Sequence, residues 1–316
     1  MILYLILRED NQLQNIWETD PDWERGYEKA GVRFPVCITD DPKVSGSLMK
    51  KGICAIGVEY TDRPECIRHP DAFAVLLDPE EIRGAWIRLQ CSHYYGVPFT
   101  VYEDDCLRIR ESIPEDYDCL KGILEEGFDF CRGDTQRRSL FEAYTRHAYQ
   151  TWGFGMWTVL VKAGEMSEER ESPQDRDEWT TNGPRDRDEW TTAGPQDGDE
   201  WTTAGWCGLY PAPADGGKNR NEDGNGLEMG YAVLPRLRRR GIAFRAGTAI
   251  LRYAAEELNA DELCVRIRKD NKASLHLAER LGFKANAVPP EKSSRPGKEE
   301  KILLCVDLKN AADDLS

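Results

Sequence analysis

Arginines cluster at one turn of a chain whose formal net charge is -15. Residues 238–243 read RRRGIA, between an extended run, LEMGYAVL (227–234), and a helical pattern with apolar residues at Ile242, Ala246, Ile250, Tyr253 and Leu258. Gly241 and Ala243 are small, so backbone amides there can face a ligand without bulky side chains in the way. The start of the helix adds N–H donors that have no acceptor within the helix, together with a partial positive charge. A basic turn that leads into a helix start in this way suits a pyrophosphate. A solvated basic surface has the same composition, so the turn alone decides nothing.

Two later segments narrow the choice. DELCVRIR (261–268) alternates as a strand with Leu263, Val265 and Ile267 on one face, and KDNKASLHLAERLGF (269–283) places Asn271 before a short helix ending at Gly282. With these in place, residues 103–310 resemble the GNAT superfamily of acyl-CoA-dependent N-acyltransferases, apart from an inserted segment. The likeness is closest to the branch containing the ribosomal-protein alanine N-acetyltransferases. Arg238, Gly241 and Ala243 match the superfamily's acyl-CoA loop. Asn271, Ser274, Leu281, Gly282 and Phe283 match the branch's Asn-x-x-Ser and Leu-Gly-Phe, and CLRIRES (106–112) looks like its first strand.

The resemblance implies a C-terminal acyl-CoA N-acyltransferase fold, a mixed α/β sheet splayed between its fourth strand, Glu228–Leu234, and its fifth, Glu262–Arg268. Acetyl-CoA is the implied donor. By the same analogy the backbone of Ala232, Val233 and Leu234 binds the pantetheine arm, and one strand-four amide polarises the thioester carbonyl. The analogy also has the amides of Arg239, Arg240, Gly241, Ile242, Ala243 and Phe244, beside Arg238, hold the pyrophosphate, while Asn271 and Ser274 lie against the pantetheine. A protonated amine cannot attack a thioester, so a group must take its proton, directly or through water. Glu228 is the candidate base; a substrate-orienting role and a water relay remain open. Many relatives carry a tyrosine as acid where this chain has Ala278. A thiolate leaves without help tolerably well, its free-thiol pKa being about 8.5. His276 is a minor alternative, and no Cys/His arrangement supports a covalent acyl-enzyme.

The acceptor is expected to be a small-molecule amine or a peptide or protein N-terminus. Phe128, Phe130, Tyr144, Trp152 and Phe154 fall in the region that would wall its site, though core packing accounts for them equally. A catalytically inactive acyl-CoA-binding sensor is the first competing reading; a protein using the basic turn for another nucleotide is the second.

The elements that must position these groups fall into two domains, 1–95 and 96–316. The first reads as a small open α/β sheet of mainly parallel strands, since its apolar runs lack strict alternation and are separated by helical stretches. Asp40, Asp41 and Asp78 end its strands, where ligands or simple turn and cap roles are both possible. A run near 165–205 repeats an eleven-residue unit with Trp179, Trp190 and Trp201 in register. It is too polar to offset the entropy of ordering, so a disordered acidic insertion expanding a β-hairpin turn is expected. Ser112 and Glu115 have capping-box spacing for the next helix.

Net acidity argues against a nucleic-acid partner. MILYLILRED is too short an apolar start for a membrane span and lacks a secretion signal's features, so a cytoplasmic location and no membrane partner are expected. The ten cysteines show no CxxC or Cys/His cluster, which reads as reduced, partly buried thiols with no metal site. Oligomeric state is not legible.

Overall fold

The computed structural model describes residues 2–6, 35–60, 68–77, 84–124, 134–162, 201–211, 226–285 and 301–308. The chain divides into two compact units, Met1–Phe99 and Thr100–Ser316.

In the first unit, strands β1 (Ile2–Ile6) and β2 (Pro35–Thr39), helix α1 (Pro42–Lys50), strands β3 (Cys54–Val58) and β4 (Ala74–Leu76), and helix α2 (Gly84–Tyr95) follow in order. All four strands are parallel and lie side by side in chain order. β3 is buried at every position, as an apolar run without alternation requires of a sheet covered on both faces. Val36, Ile38, Ile56 and Val58 meet Ile87 and Cys91 of α2 in the core. The Asp41 carboxylate caps α1, accepting from the Lys43 amide at 2.9 Å, with Pro42 in the first turn. The cap role therefore accounts for Asp41. Strand order does not reverse among the described residues, so the sheet offers no switch-point crevice there. Asp78 lies outside the described residues.

The second unit begins with β5 (Thr100–Glu103) and β6 (Leu107–Glu111), then a 3-10 turn at Pro114–Asp116, helices α3 (Tyr117–Leu124) and α4 (Asp134–Trp152), and strands β7 (Met156–Lys162) and β8 (Trp201–Pro211). β9 (Leu227–Val233), α5 (Ile242–Glu256), β10 (Glu262–Arg268), α6 (Lys272–Arg280), β11 (Lys284–Ala285) and β12 (Lys301–Asp307) complete it. The eight strands form one mixed sheet in the order β11-β12-β10-β9-β8-β7-β6-β5, antiparallel except between β9 and β10. Helix α3 packs on β8, and Tyr117, Leu120, Phe141 and Leu234 close over Met156 and Trp206. Helix α5 packs on β6, β8 and β9, where Tyr253 meets Trp157 edge-on at 5.4 Å. Met156 and Trp157 are adjacent, so the two helical layers cover opposite faces.

Two sequence expectations change in detail. The Ser112 hydroxyl bonds Thr158 Oγ1 at 2.8 Å and does not cap a helix. Asp116, not Glu115, reaches back, accepting from the Ile113 amide at 2.9 Å while fully buried against Arg110 and Thr158. The last five residues of the expected insertion, Trp201–Gly205, begin β8 and pair with β7 from Lys162 to Val159. Arg108 covers the Trp201 ring at 4.5 Å, which supplies the cationic partner that holds this tryptophan against the sheet. The remainder of the repeat, from residue 163 to 200, lies outside the described residues.

Candidate active site

β9 and β10 pair at Leu227 with Leu263 and at Glu228 with Cys264, and then part. Among the described residues no rung joins Met229–Val233 to Val265–Arg268. β9 keeps its pairing with β8 throughout, and β10 keeps its own with β12, so each separating strand stays supported on its far side. The opening is a property of the sheet, and Glu228 stands at its apex.

The Glu228 carboxylate lies 3.1 Å from Arg266 Nε, both side chains about a quarter exposed. The Arg266 Nε–H has no acceptor in line, so the contact is an ion pair and not a hydrogen bond. Burial raises the Glu228 pKa above the usual carboxylate value, opposed by Arg266 and Lys301. Tyr210 stands opposite Glu228 on β8. A Cβ on Gly230 would lie 3.1 Å from the Trp206 ring and 3.3 Å from that of Tyr210, so this glycine lets two aromatic rings approach the strand beside the carboxylate.

Further along β9 the backbone groups divide. The Leu234 amide donates to Ala204 O at 2.8 Å, toward β8. Alternation along the strand then turns Ala232 the same way and directs the amides of Tyr231 and Val233 toward the open side. Arg238 Nε donates to Val233 O at 3.1 Å, clamping the strand's exit. Of the expected pantetheine-binding set, Val233 thus presents its backbone to the gap, whereas Ala232 and Leu234 face the neighbouring strand. Tyr231, which spacing did not single out, reaches over the gap and donates from its hydroxyl to Ser274 O at 3.2 Å.

Beyond a 3-10 turn at Pro235–Leu237 the chain enters α5 through two left-handed residues, Arg239 at φ 62° and Gly241 at φ 72°. A non-glycine residue in that region is strained, and such strain concentrates at functional turns. Gly241 is the N-cap and has no side chain to bond the first amides of the helix. The amides of Ile242, Ala243 and Phe244 therefore start the helix without a capping acceptor, while the Ile242 side chain is buried in the core. Arg238 and Arg239 are exposed and Arg240 and Gly241 half-buried. The five steps from Glu228 to Val233 span about 17 Å, which separates a carboxylate at one end from an anion-ready turn near the other.

Asn271 caps α6, accepting from the Ser274 amide at 3.1 Å. Ala278 is fully buried and His276 exposed, so neither offers a proton to the gap. Leu281, Gly282 and Phe283 end the helix: Gly282 is left-handed at φ 87°, and the Phe283 amide donates to Ala278 O at 3.0 Å. A Cβ on Gly247 would meet Leu281 at 2.6 Å, so that glycine lets α5 and α6 approach closely. Among the aromatics, Tyr144 accepts from the Met156 amide at 3.1 Å and burial pushes its hydroxyl up to about 12, while Trp152 is exposed. Phe128 and Phe130 lie outside the described residues.

The cysteines depart from expectation at one place. Cys37, Cys54, Cys91 and Cys207 are buried free thiols, with Cys54 pushed up to about 12 by burial. Cys264 and Cys305 are instead joined across β10 and β12. Their positions, 41 residues apart, gave no sequence signal, because only strand register brings them together.

Residues 134–284 match the acetyltransferase (GNAT) domain family. No match is found among curated proteins. Among solved structures, an acetyltransferase from Agrobacterium tumefaciens is 16% identical with a TM-score of 0.42, over 66% of this chain and 93% of that one. A GNAT-family acetyltransferase from Bacillus anthracis is 13% identical with a TM-score of 0.41, over 66% and 98%. A variant of a spermidine N-acetyltransferase from Vibrio cholerae is 13% identical with a TM-score of 0.43, over 67% and 100%.

Proposed function

We propose that the second unit, of which residues 134–284 match the acetyltransferase (GNAT) domain family, is an acetyltransferase that transfers an acetyl group directly to the primary amine of a small molecule or a peptide N-terminus. Acetyl-CoA is the donor, and bound in the gap it would supply an activated thioester. One observation carries the reading: two parallel strands part immediately after Glu228.

The chain's residues then divide the work. Uncapped amides at Ile242–Phe244 and the left-handed turn before them hold the pyrophosphate. The open-side amides of Tyr231 and Val233 align the pantetheine and donate to the thioester oxygen as it gains charge. Glu228 accepts the amine's proton, its pKa raised by burial toward the range in which a carboxylate works as a base. Arg266 holds that carboxylate in place. No described side chain is assigned as the acid for the leaving thiolate. Asn271 and Ser274 act by fixing the start of α6 over the gap.

The test is thiol release from acetyl-CoA against spermidine, an amino-acid amide and a peptide with a free N-terminal alanine. The last acceptor tests the expected resemblance to the ribosomal-protein alanine N-acetyltransferases. Turnover with any primary amine, lost in Glu228→Gln with acetyl-CoA binding intact, is the expected result. Binding without release across the panel would identify a sensor instead. Among the described residues no helix is long and apolar enough to cross a membrane, and we propose a cytoplasmic site of action.

A further inference from the structure

Strand pairing assembles a group of side chains at the edge of the site that the transfer reaction does not use. In the β10–β12 ladder Glu262 stands opposite Asp307, and Cys264 opposite Cys305. Residues two apart on a strand share a face, so two sulfurs and two carboxylates form one block on the sheet. The ligand atoms of Glu262, Cys264 and Cys305 all lie within 4.8 Å of one another. We propose that the reduced Cys264–Cys305 pair, with Glu262, binds a divalent metal ion of the zinc class.

The carboxylates are what distinguish this pair from a disulfide that merely ties two strands. Like charges directly opposite each other on neighbouring strands destabilise a sheet. Glu262 is half-buried and stands directly opposite Asp307. A disulfide leaves this repulsion untouched, whereas a dication bound on the same face relieves it and neutralises two thiolates as well. Mixed sulfur and oxygen donors suit a borderline-soft ion, and thiolates disfavour magnesium or calcium. Bonds of about 2.0–2.3 Å to a central tetrahedral ion place its ligand atoms roughly 3.3–3.8 Å apart. On reduction the two sulfurs therefore separate from bonding distance while the Glu262 carboxylate, within 4.8 Å of both, closes on the same point.

In the structure the two sulfurs are bonded to each other. Two equivalents of a thiol reductant split that bond, leaving two protein thiols and the reductant's own disulfide. Metal binding then forms two metal–sulfur bonds and releases two protons. The site thereby has two exclusive states, one covalent and one metal-bound, and both sit one strand from Glu228, which pairs with Cys264.

The test uses the full-length chain, reduced with a phosphine under inert gas, freed of reductant and titrated with Co2+. Thiolate-to-cobalt charge-transfer absorption at one ion per chain, displaced by Zn2+, is expected. Cys264→Ser removes that absorption. Glu262→Gln, which leaves both cysteines in place, keeps it but weakens binding by about ten-fold or more. Absence of the absorption from the reduced wild type overturns the proposal, as does equal absorption in Cys264→Ser or equal binding by the oxidised protein.

Discussion

Two influences of opposite sign meet on the Glu228 carboxylate, and in the proposed reaction their balance sets when it can act as a base. It must be ionised to take the amine's proton, so activity falls as pH drops through its pKa. Burial raises that pKa, while Arg266 and Lys301 pull it down. Glu228→Gln should lower kcat by about a hundred-fold or more, with acetyl-CoA affinity retained by calorimetry. Arg266→Gln removes the nearest opposing charge, so the acidic limb of the kcat/KM profile should move to higher pH. A limb that stays fixed or moves down would assign the titration to another group. The glutamate was legible in the sequence because its strand preceded a recognisable turn. Arg266 was not, since the ion pair joins residues 38 apart that only a parallel rung brings side by side.

Each element that positions the site is held by a local device with its own measurable cost. At the entry of α5, Gly241 has φ 72°, where an L-residue costs about 1–2 kcal/mol. Gly241→Ala should therefore lower stability by about that amount and reduce acetyl-CoA affinity, with kcat at saturation less affected, as separate calorimetric and kinetic measurements can resolve. Behind the sheet, Arg110 makes two hydrogen bonds of 2.7 and 3.0 Å to the fully buried Asp116, which also accepts from Ile113 and Thr158. Asp116→Ala strands the guanidinium and should cost about 3–5 kcal/mol in urea unfolding. Strand identities were readable because β10 alternates along its length and β9 is an extended run ended by Pro235. Backbone direction was not: whether Ala232 or Val233 faces the gap depends on which neighbour Leu234 bonds, and that follows from register with β8. The Ser112 spacing misled for a similar reason, because burial committed its hydroxyl to Thr158.

At the scale of the whole chain, the second unit is interrupted between β7 and β8 by the 38 residues 163–200, yet the two strands pair in the manner of a hairpin. Composition marked the interruption because its repeats carry one large apolar residue against several carboxylates. It overran at its end because the third copy opens with the same WTTAG as the second, yet Trp201 begins β8, where Arg108 and Lys162 cover its ring. The hairpin's register runs from Trp201 opposite Lys162 onward, and β8 is aligned against β9 by its own rungs from Gly205 to Pro211. Closure entropy rises with the logarithm of loop length, so replacing residues 163–200 by a four-residue turn should stabilise the unit by about 2 kcal/mol. Activity toward the best amine of the panel should persist, because Glu228, the parted strands and the α5 turn all lie after β8 in the chain. If the shortened protein keeps its far-ultraviolet spectrum and melts higher but loses turnover, the repeat takes part in acceptor capture, and the division between scaffold and insertion argued from register fails.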